Sequence, residues 1–433
     1  MFPRLLLLLA LLAAPVAGSA LAQRVEVVAE LPSTPAALAP FEGGVAVLLA
    51  DGRLVAAGTE GVRTLRRGLD GEVLVACGER VLAIDDFGRL AIVTGADADD
   101  RSGPAVSLHA TPLCLPDGGL LAIDPNGRSL LQLDADGTLL ARIAVPALPD
   151  GAPVRLPDGT VALPIEPTLR YRHGVLGDEV EAAGVALVDL RTGRVVDAWT
   201  LPGDRVIEER RLVPFPAAGA RGVVATVSGA GDGGALLVLA APRPAAVPTG
   251  PEGPLPYVTA AGGAGGQTGP LAPVAVAAGL GQEQEQRWRH VLGASGRRLY
   301  AVAAPHLGGP LERWTLVPGD DVLEREAFEL GVTSHREGAR ELDLGRLLPA
   351  AAGDPPGFDL LLLPGADLVD LRLVACDDAG CRVAARAELG GILAAAPVTT
   401  RRADGTVEAW AATESGRLLR VRFPRDGILT DSE

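Results

Sequence analysis

Short apolar or alternating runs, bounded by turn residues, recur along the whole chain, whereas apolar residues with helical spacing are scarce. Alternation with a period of two is typical of strands that bury one face. The turns share a glycine just before each new run, as in DGRL at 51–54 and DGTL at 136–139. Glycine suits this position because tight hairpin turns require a positive φ. The pattern predicts consecutive antiparallel hairpins and an all-β fold.

The hairpins group into repeating units. Residues 111–145 hold four strand-like runs separated by Pro-Asp-Gly, Pro-Asn-Gly and Ala-Asp-Gly turns, and so small a sheet needs neighbours stacked on it. A small residue followed by proline marks the start of a first strand, and these prolines are 77, 41, 120 and 124 residues apart. The separations are near multiples of about 40 residues, the spacing of propeller blades. The prolines are Pro35, Pro112, Pro153, Pro273 and Pro397.

The two ends of the chain complement each other. Residues 24–31 resemble the last strand of a unit that lacks its first three, and residues 397–423 supply three strands and no fourth. We therefore expect a single β-propeller closed by its N-terminal strand, which removes two exposed edges. Eight blades are predicted, with seven as the alternative. The predicted units begin near residues 35, 72, 111, 153, 211, 288, 344 and 396.

One stretch interrupts the repeat. Residues 242–286 are rich in glycine and proline and predict a loop insertion within the propeller domain, and a shorter insertion is expected near residues 168–182.

The N-terminal residues 1–22 have the pattern of a secretory signal peptide, with a charge at Arg4, an apolar run and a small-residue cleavage site before Gln23. The propeller domain is thus expected to span residues 23–433. No cysteine follows the cleavage site for lipid attachment, and no later run is long enough for a transmembrane helix. We expect a periplasmic or extracellular protein.

Net charge narrows the possible partners. The formal charge is −15, and all 39 Lys+Arg residues are arginine. An acidic chain is a poor ligand for nucleic acids or anionic membranes. The composition indicates a GC-rich genome, so scarce aromatics and abundant arginines are weak evidence of function.

The four cysteines predict disulfides, since an even number in an exported chain is typical of them. Cys376 and Cys381 flank a four-residue loop between two strand-like runs and should face each other across a hairpin. Cys77 and Cys114 fall in the predicted first strands of consecutive units, where a disulfide and two buried free thiols are equally compatible with the sequence.

Units of the form small-Pro-Val, apolar strand, Asp-Gly-x-Leu and apolar strand resemble PQQ-like repeat propellers. The clearest stretch is AAPV at 395–398 followed by ESGRLL at 414–419. That superfamily includes quinoprotein dehydrogenases and the outer-membrane assembly factor of the BamB type. The resemblance implies a non-enzymatic branch, because the dehydrogenases use a disulfide of adjacent cysteines, which this chain lacks. No cofactor residue is carried over, and we expect no cofactor.

Candidate catalytic chemistry is sparse. The five histidines occur singly, without the spacing that places two ligands on one metal, and no serine sits in a Gly-x-Ser-x-Gly motif. We therefore assign no catalytic, cofactor-binding or metal-ligating residue. The histidines are His109, His173, His290, His306 and His335.

The sequence thus favours an exported, non-catalytic propeller that presents loops from one face to a protein partner. The alternative is an enzyme or cofactor binder that uses the central channel. An apolar patch on a loop face would favour the scaffold, and a channel pocket lined by acids, arginines and a tryptophan would favour the enzyme.

Overall fold

Strands dominate the computed structural model of the chain. The structure describes residues 24–95, 101–171, 179–229, 233–241, 271–277, 279, 288–317, 322–341, 343–425 and 428. Within these ranges, strands pair antiparallel with their neighbours in sequence, as the hairpin pattern predicts. Positive φ values at Gly52 (+77°) and Gly137 (+84°) allow two of the predicted tight turns.

The first third of the chain supplies β1 and three consecutive four-stranded sheets. The strands are β1 Arg24–Glu30; β2 Pro35–Phe41, β3 Gly44–Leu49, β4 Leu54–Gly58 and β5 Gly61–Arg66; β6 Leu69–Cys77, β7 Arg80–Asp85, β8 Arg89–Thr94 and β9 Arg101–Ala105; β10 Leu113–Cys114, β11 Leu120–Ile123, β12 Ser129–Leu133 and β13 Leu139–Ala144.

A nine-stranded sheet follows, in which two four-stranded groups are bridged by the short β18, which pairs with both β16 and β20. Its strands are β14 Val154–Arg155, β15 Val161–Thr168, β16 Glu181–Asp189, β17 Arg194–Thr200, β18 Val206–Ile207, β19 Val213–Pro214, β20 Val223–Ser228, β21 Ala235–Ala240 and β22 Ala272–Ala277.

Two further four-stranded sheets and a final group of three strands complete the described chain. They are β23 Arg289–Ser295, β24 Arg298–Ala303, β25 Leu311–Leu316 and β26 Leu323–Phe328; β27 Arg346–Leu348, β28 Asp359–Pro364, β29 Asp370–Asp377 and β30 Gly380–Glu388; β31 Val398–Arg401, β32 Val407–Ala412 and β33 Arg417–Phe423. Short 3₁₀ helices lie at Pro216–Ala218 and Pro305–Leu307.

The N-terminal strand closes the molecule as predicted. β1 pairs antiparallel with β33, with Val25 opposite Val421 and Glu26 opposite Arg420, and the resulting sheet has the order β1-β33-β32-β31. An N-terminal segment therefore supplies the fourth strand of the C-terminal unit. The fold is a β-propeller, and the predicted fold class is confirmed.

Apolar side chains from adjacent sheets form the core between units. Leu48 and Leu54 of one sheet pack with Val81 and Ala83 of the next, and all four are fully buried. Such small sheets are stable only when both faces are covered in this way. The outermost strands are more exposed, as in β1 and β17.

The predicted unit boundaries match the strand groups closely, with one error. Each predicted start lies within three residues of the first strand of a group. Pro273 is the exception among the marker prolines, because it lies in β22, the last strand of its group. An outermost strand tolerates proline, since its missing N–H need not serve a further ladder. Ala272–Ala277 is thus strand inside the predicted 242–286 loop, and most other residues of that range lie outside those described.

Meander topology gives the propeller two different ends. The links between units and the turns between second and third strands share one end, which we call the linker face. The remaining turns share the other, which we call the turn face. First strands line the central channel, as the positions of β2, β6 and β31 around one cavity show.

Candidate functional site

The link between β26 and β27 enters the central channel. We call residues 333–343 the strap, of which the structure describes all but one. At its base, the Thr333 hydroxyl donates to the carbonyl of Pro305 at 2.5 Å, and Ser334 Oγ lies 2.9 Å from Nδ1 of His290. These bonds join the strap to the unit that precedes it.

The tip of the strap contacts units on other sides of the ring. Arg336 donates to the carbonyl of Leu393, and its Nη1 lies 3.2 Å from a carboxylate oxygen of Glu414. Arg340 lies 3.6 Å from the carboxylate of Glu72 in β6. The strap therefore ties together units that are not neighbours in sequence.

A cavity of about 740 Å³ lies in the channel between the strap and the first strands. Its volume is within the usual range for small-molecule pockets. Four arginines, three carboxylates and one histidine are among the residues that line it. They are Glu72, His109, Arg210, Arg211, Arg340, Glu341, Asp343 and Arg346.

Arg211 and Asp343 form a two-pronged ion pair at this cavity. Nη1 and Nη2 of Arg211 donate to the two carboxylate oxygens of Asp343 at 3.1 and 2.8 Å. Burial alone would raise the pKa of Asp343, but the charges of Arg211 and Arg346 outweigh it and hold that pKa well below its usual range. About a third of each side chain of the pair stays exposed, 35% and 37%.

Two neighbouring arginines keep unused donors. Arg210 donates to the carbonyls of His109, at 3.2 Å, and of Arg340, while its Nε is 4.0 Å from Asp150 and has no hydrogen-bond acceptor. Arg346 Nε is also buried without an acceptor among the described residues. Unpaired buried donors are uncommon in folded proteins, so these two Nε–H groups are distinctive features of the site.

Behind the cavity lies a layer of buried titratable groups. Burial raises the pKa of Glu209 to about 8, although its carboxylate accepts a hydrogen bond from the backbone N–H of Val291 at 2.7 Å. Burial and the charge of Arg211 lower the pKa of His290 to about 3. In the cavity wall itself, burial and the charge of Asp343 raise the pKa of Glu341. At neutral pH, Glu209 and His290 are therefore uncharged.

The structure brings two of the scattered histidines together around a tryptophan. The ring of Trp288 lies 5.5 Å from that of His290 and 5.3 Å from that of His335. His109 instead lies 2.7 Å from a carboxylate oxygen of Glu72, and His173 is outside the described residues. No metal-binding group of three or more His, Cys, Asp or Glu occurs in the described part of the chain.

Both predicted cysteine pairs lie at disulfide distance. Cys376 and Cys381 are register partners across the β29–β30 hairpin, with Cα atoms 4.1 Å apart. Cys77 and Cys114 end the first strands of adjacent units at the turn face, with Cα atoms 5.7 Å apart. The Cα–Cα distance of the Cys77–Cys114 pair is typical of a disulfide, and that of the Cys376–Cys381 pair is slightly shorter than usual.

Five of the exposed apolar side chains of the described residues lie in loops of the linker face. Phe87, in the β7–β8 turn, is 86% exposed, and Leu108, 42% exposed, lies in the following link. A Cβ at Gly88 would lie 3.4 Å from the Leu108 side chain, so Leu108 lies against the turn that carries Phe87. Further exposed apolar residues of linker-face loops are Leu169, Leu307 and Ile392.

Sequence reasoning missed the arginine-lined cavity. Arg210 and Arg211 belong to a Glu-Glu-Arg-Arg run just before β19, and four consecutive charges at the entry to an inner strand were the available signal. No local sequence pattern predicts a role for Arg346 or for the strap, because their roles depend on contacts between distant units.

Among known proteins, solved structures of low sequence identity resemble the chain. No family model matches the chain, and no curated protein matches it. Similar solved structures include the computationally designed Ika8 protein (14% identity, 92% of this chain and 100% of that chain covered, TM-score 0.49) and BamB from Moraxella catarrhalis (12%, 90% and 85%, 0.39). Streptogramin B lyase is another (10%, 92% and 97%, 0.42). The strand pairing described above, rather than these likenesses, establishes the propeller. No helix among the described residues has the length and apolar character to cross a membrane.

Proposed function

We propose that the chain is an exported, non-catalytic propeller of eight blades that binds a protein partner through its linker face. The observation that carries this proposal is the exposure of Phe87 beside Leu108. A phenylalanine left 86% exposed loses the free energy that burial provides, about 2 kcal/mol or more, and aromatic side chains are enriched at the centres of protein interfaces.

The channel charges support the same view. Arg211 is paired with Asp343 and Arg340 with Glu72, and these pairs hold the strap in place together with the Arg336–Glu414 pair outside the cavity. A group engaged in such a structural contact is poorly placed for acid–base chemistry.

Export is part of the proposal and rests on the signal-peptide pattern of residues 1–22 and on the paired cysteines. Assignment to the non-enzymatic branch of the PQQ-like propellers is likewise proposed, on the sequence motifs alone. N-terminal sequencing of the mature protein from the periplasm or medium should begin at Gln23. A mature protein that retains residues 1–22 would contradict export by cleavage.

Partner binding is tested by comparing captured proteins across variants. Wild type, the double variant Phe87→Asp/Leu108→Asp, and Val196→Asp on outer strand β17 are each used to capture proteins from envelope extracts. Val196 is exposed but far from the linker face, so its variant controls for a surface charge. We expect the double variant to lose a partner, by about tenfold or more, that the control retains. Equal capture by all three folded proteins would refute a linker-face interface.

A second candidate function is a ligand site in the channel. It is favoured by one observation, the cavity of about 740 Å³ with arginines in its wall. The cavity wall contains acids and arginines, whereas Trp288 is not part of that wall and is fully buried.

A further inference from the structure

The cavity under the strap has more hydrogen-bond donors than its own carboxylates use. Arg346 begins the first strand of its unit, at β27, and its Nε has no acceptor among the described residues. Arg210 Nε likewise has no hydrogen-bond acceptor among the described residues. A guanidinium has five N–H donors, and a buried donor without an acceptor destabilises the folded state. The two arginines therefore keep donor capacity that the described residues do not use.

The charge balance at neutral pH favours an anion. The cavity wall contains four arginines and three carboxylates, and the pKa of one of these, Glu341, is raised. Glu209 behind the wall is uncharged below about pH 8, so it adds no negative charge at neutral pH. Asp150 beside Arg210 is a fourth carboxylate, so the four arginines face four acids, and the raised pKa of Glu341 shifts this balance toward positive charge.

The Arg211–Asp343 pair is accessible from the cavity. More than a third of each side chain is exposed although the pair lies at the centre of the molecule, so the guanidinium borders open space in the cavity. Arginine binds carboxylates and phosphates with two parallel hydrogen bonds, and such charge-assisted bonds are about twice as strong as neutral ones.

We infer that the channel cavity binds a small molecule bearing a carboxylate or phosphate group, which accepts hydrogen bonds from Arg346 beside the Arg211–Asp343 pair. The strap covers this ligand at one end of the channel. The inference rests on the second candidate function and is independent of the linker face.

Isothermal titration calorimetry tests the site with defined probes. Inorganic phosphate and succinate are titrated into wild type, Arg346→Gln and Arg191→Gln, with the uncharged succinamide as the matched ligand control. Arg191 lies in a turn, and its side chain is 86% exposed, so its variant changes net charge equally. We expect at least one anion to bind wild type and Arg191→Gln, with affinity about tenfold weaker in Arg346→Gln, and no binding of succinamide.

Two results would overturn the inference. One is the absence of phosphate and succinate binding to the folded wild type. The other is equal affinity for wild type and Arg346→Gln, which would place any bound anion elsewhere. Arg346→Gln should still capture the protein partner, so failure of the channel site and failure of the linker-face proposal give different results.

Discussion

Replacing Glu312 with glutamine should destabilise the protein far more than removing an exposed charge. Glu312 is fully buried in β25, where its carboxylate accepts hydrogen bonds from Nε of Arg289 and of Arg325, both at 2.7 Å, and from the indole of Trp314 at 3.0 Å. Arg289 is only 3% exposed. The amide of glutamine would place N–H groups against guanidinium N–H groups and leave the Arg289 charge buried without its counter-charge.

The expected loss is about 3–5 kcal/mol, the usual cost of removing one partner of a buried ion pair. With a urea m-value of about 3 kcal/mol/M or more for a protein of this size, the unfolding midpoint should fall by about 1 M. Glu42→Gln is the matched control, because Glu42 pairs with Arg63 and both side chains are more than 40% exposed. Its loss should be below about 1 kcal/mol. Equal midpoints for the two variants would refute the idea that the Glu312 network stabilises this unit.

Two further predictions concern titration and cysteine pairing. Glu209 is an acid whose pKa is raised to about 8 in the folded protein, so the folded state keeps a proton that the unfolded chain has lost above about pH 5. The free energy of unfolding of wild type relative to Glu209→Gln should therefore fall between about pH 5 and 8, by at most about 1.4 kcal/mol per pH unit, and a pH-independent difference in urea titrations would contradict this. Peptide mapping without reductant should recover Cys77 linked to Cys114 and Cys376 linked to Cys381, whereas a Cys77–Cys376 link would be incompatible with the strand assignment.

Much of the architecture was predictable because its determinants are local. Turn glycines, period-two alternation and the incomplete units at each end predicted the hairpins and the β1–β33 closure. The prediction that Pro273 begins a first strand was wrong, because proline is tolerated both at the first residue of a strand and in an edge strand. Sequence alone does not distinguish these two positions.

The candidate sites were less predictable because they depend on contacts across the ring. Phe87 occupies a turn position whose apolar neighbour, Leu108, belongs to the next link. Arg211 and Asp343 are 132 residues apart in sequence and meet only because the strap enters the channel. No pattern in a single sequence predicts such a contact.

Closure by the N-terminal strand is the central structural claim, and complementation of a truncated protein tests it most directly. A variant lacking residues 24–31 is measured by thermal unfolding alone, with a synthetic peptide of that sequence, and with a scrambled peptide as control. Because β1 covers the edge of β33 and Leu31 packs in the adjoining core, we expect a lower melting temperature that the native peptide raises again and the scrambled peptide does not. A truncated protein that melts like wild type would contradict the closure.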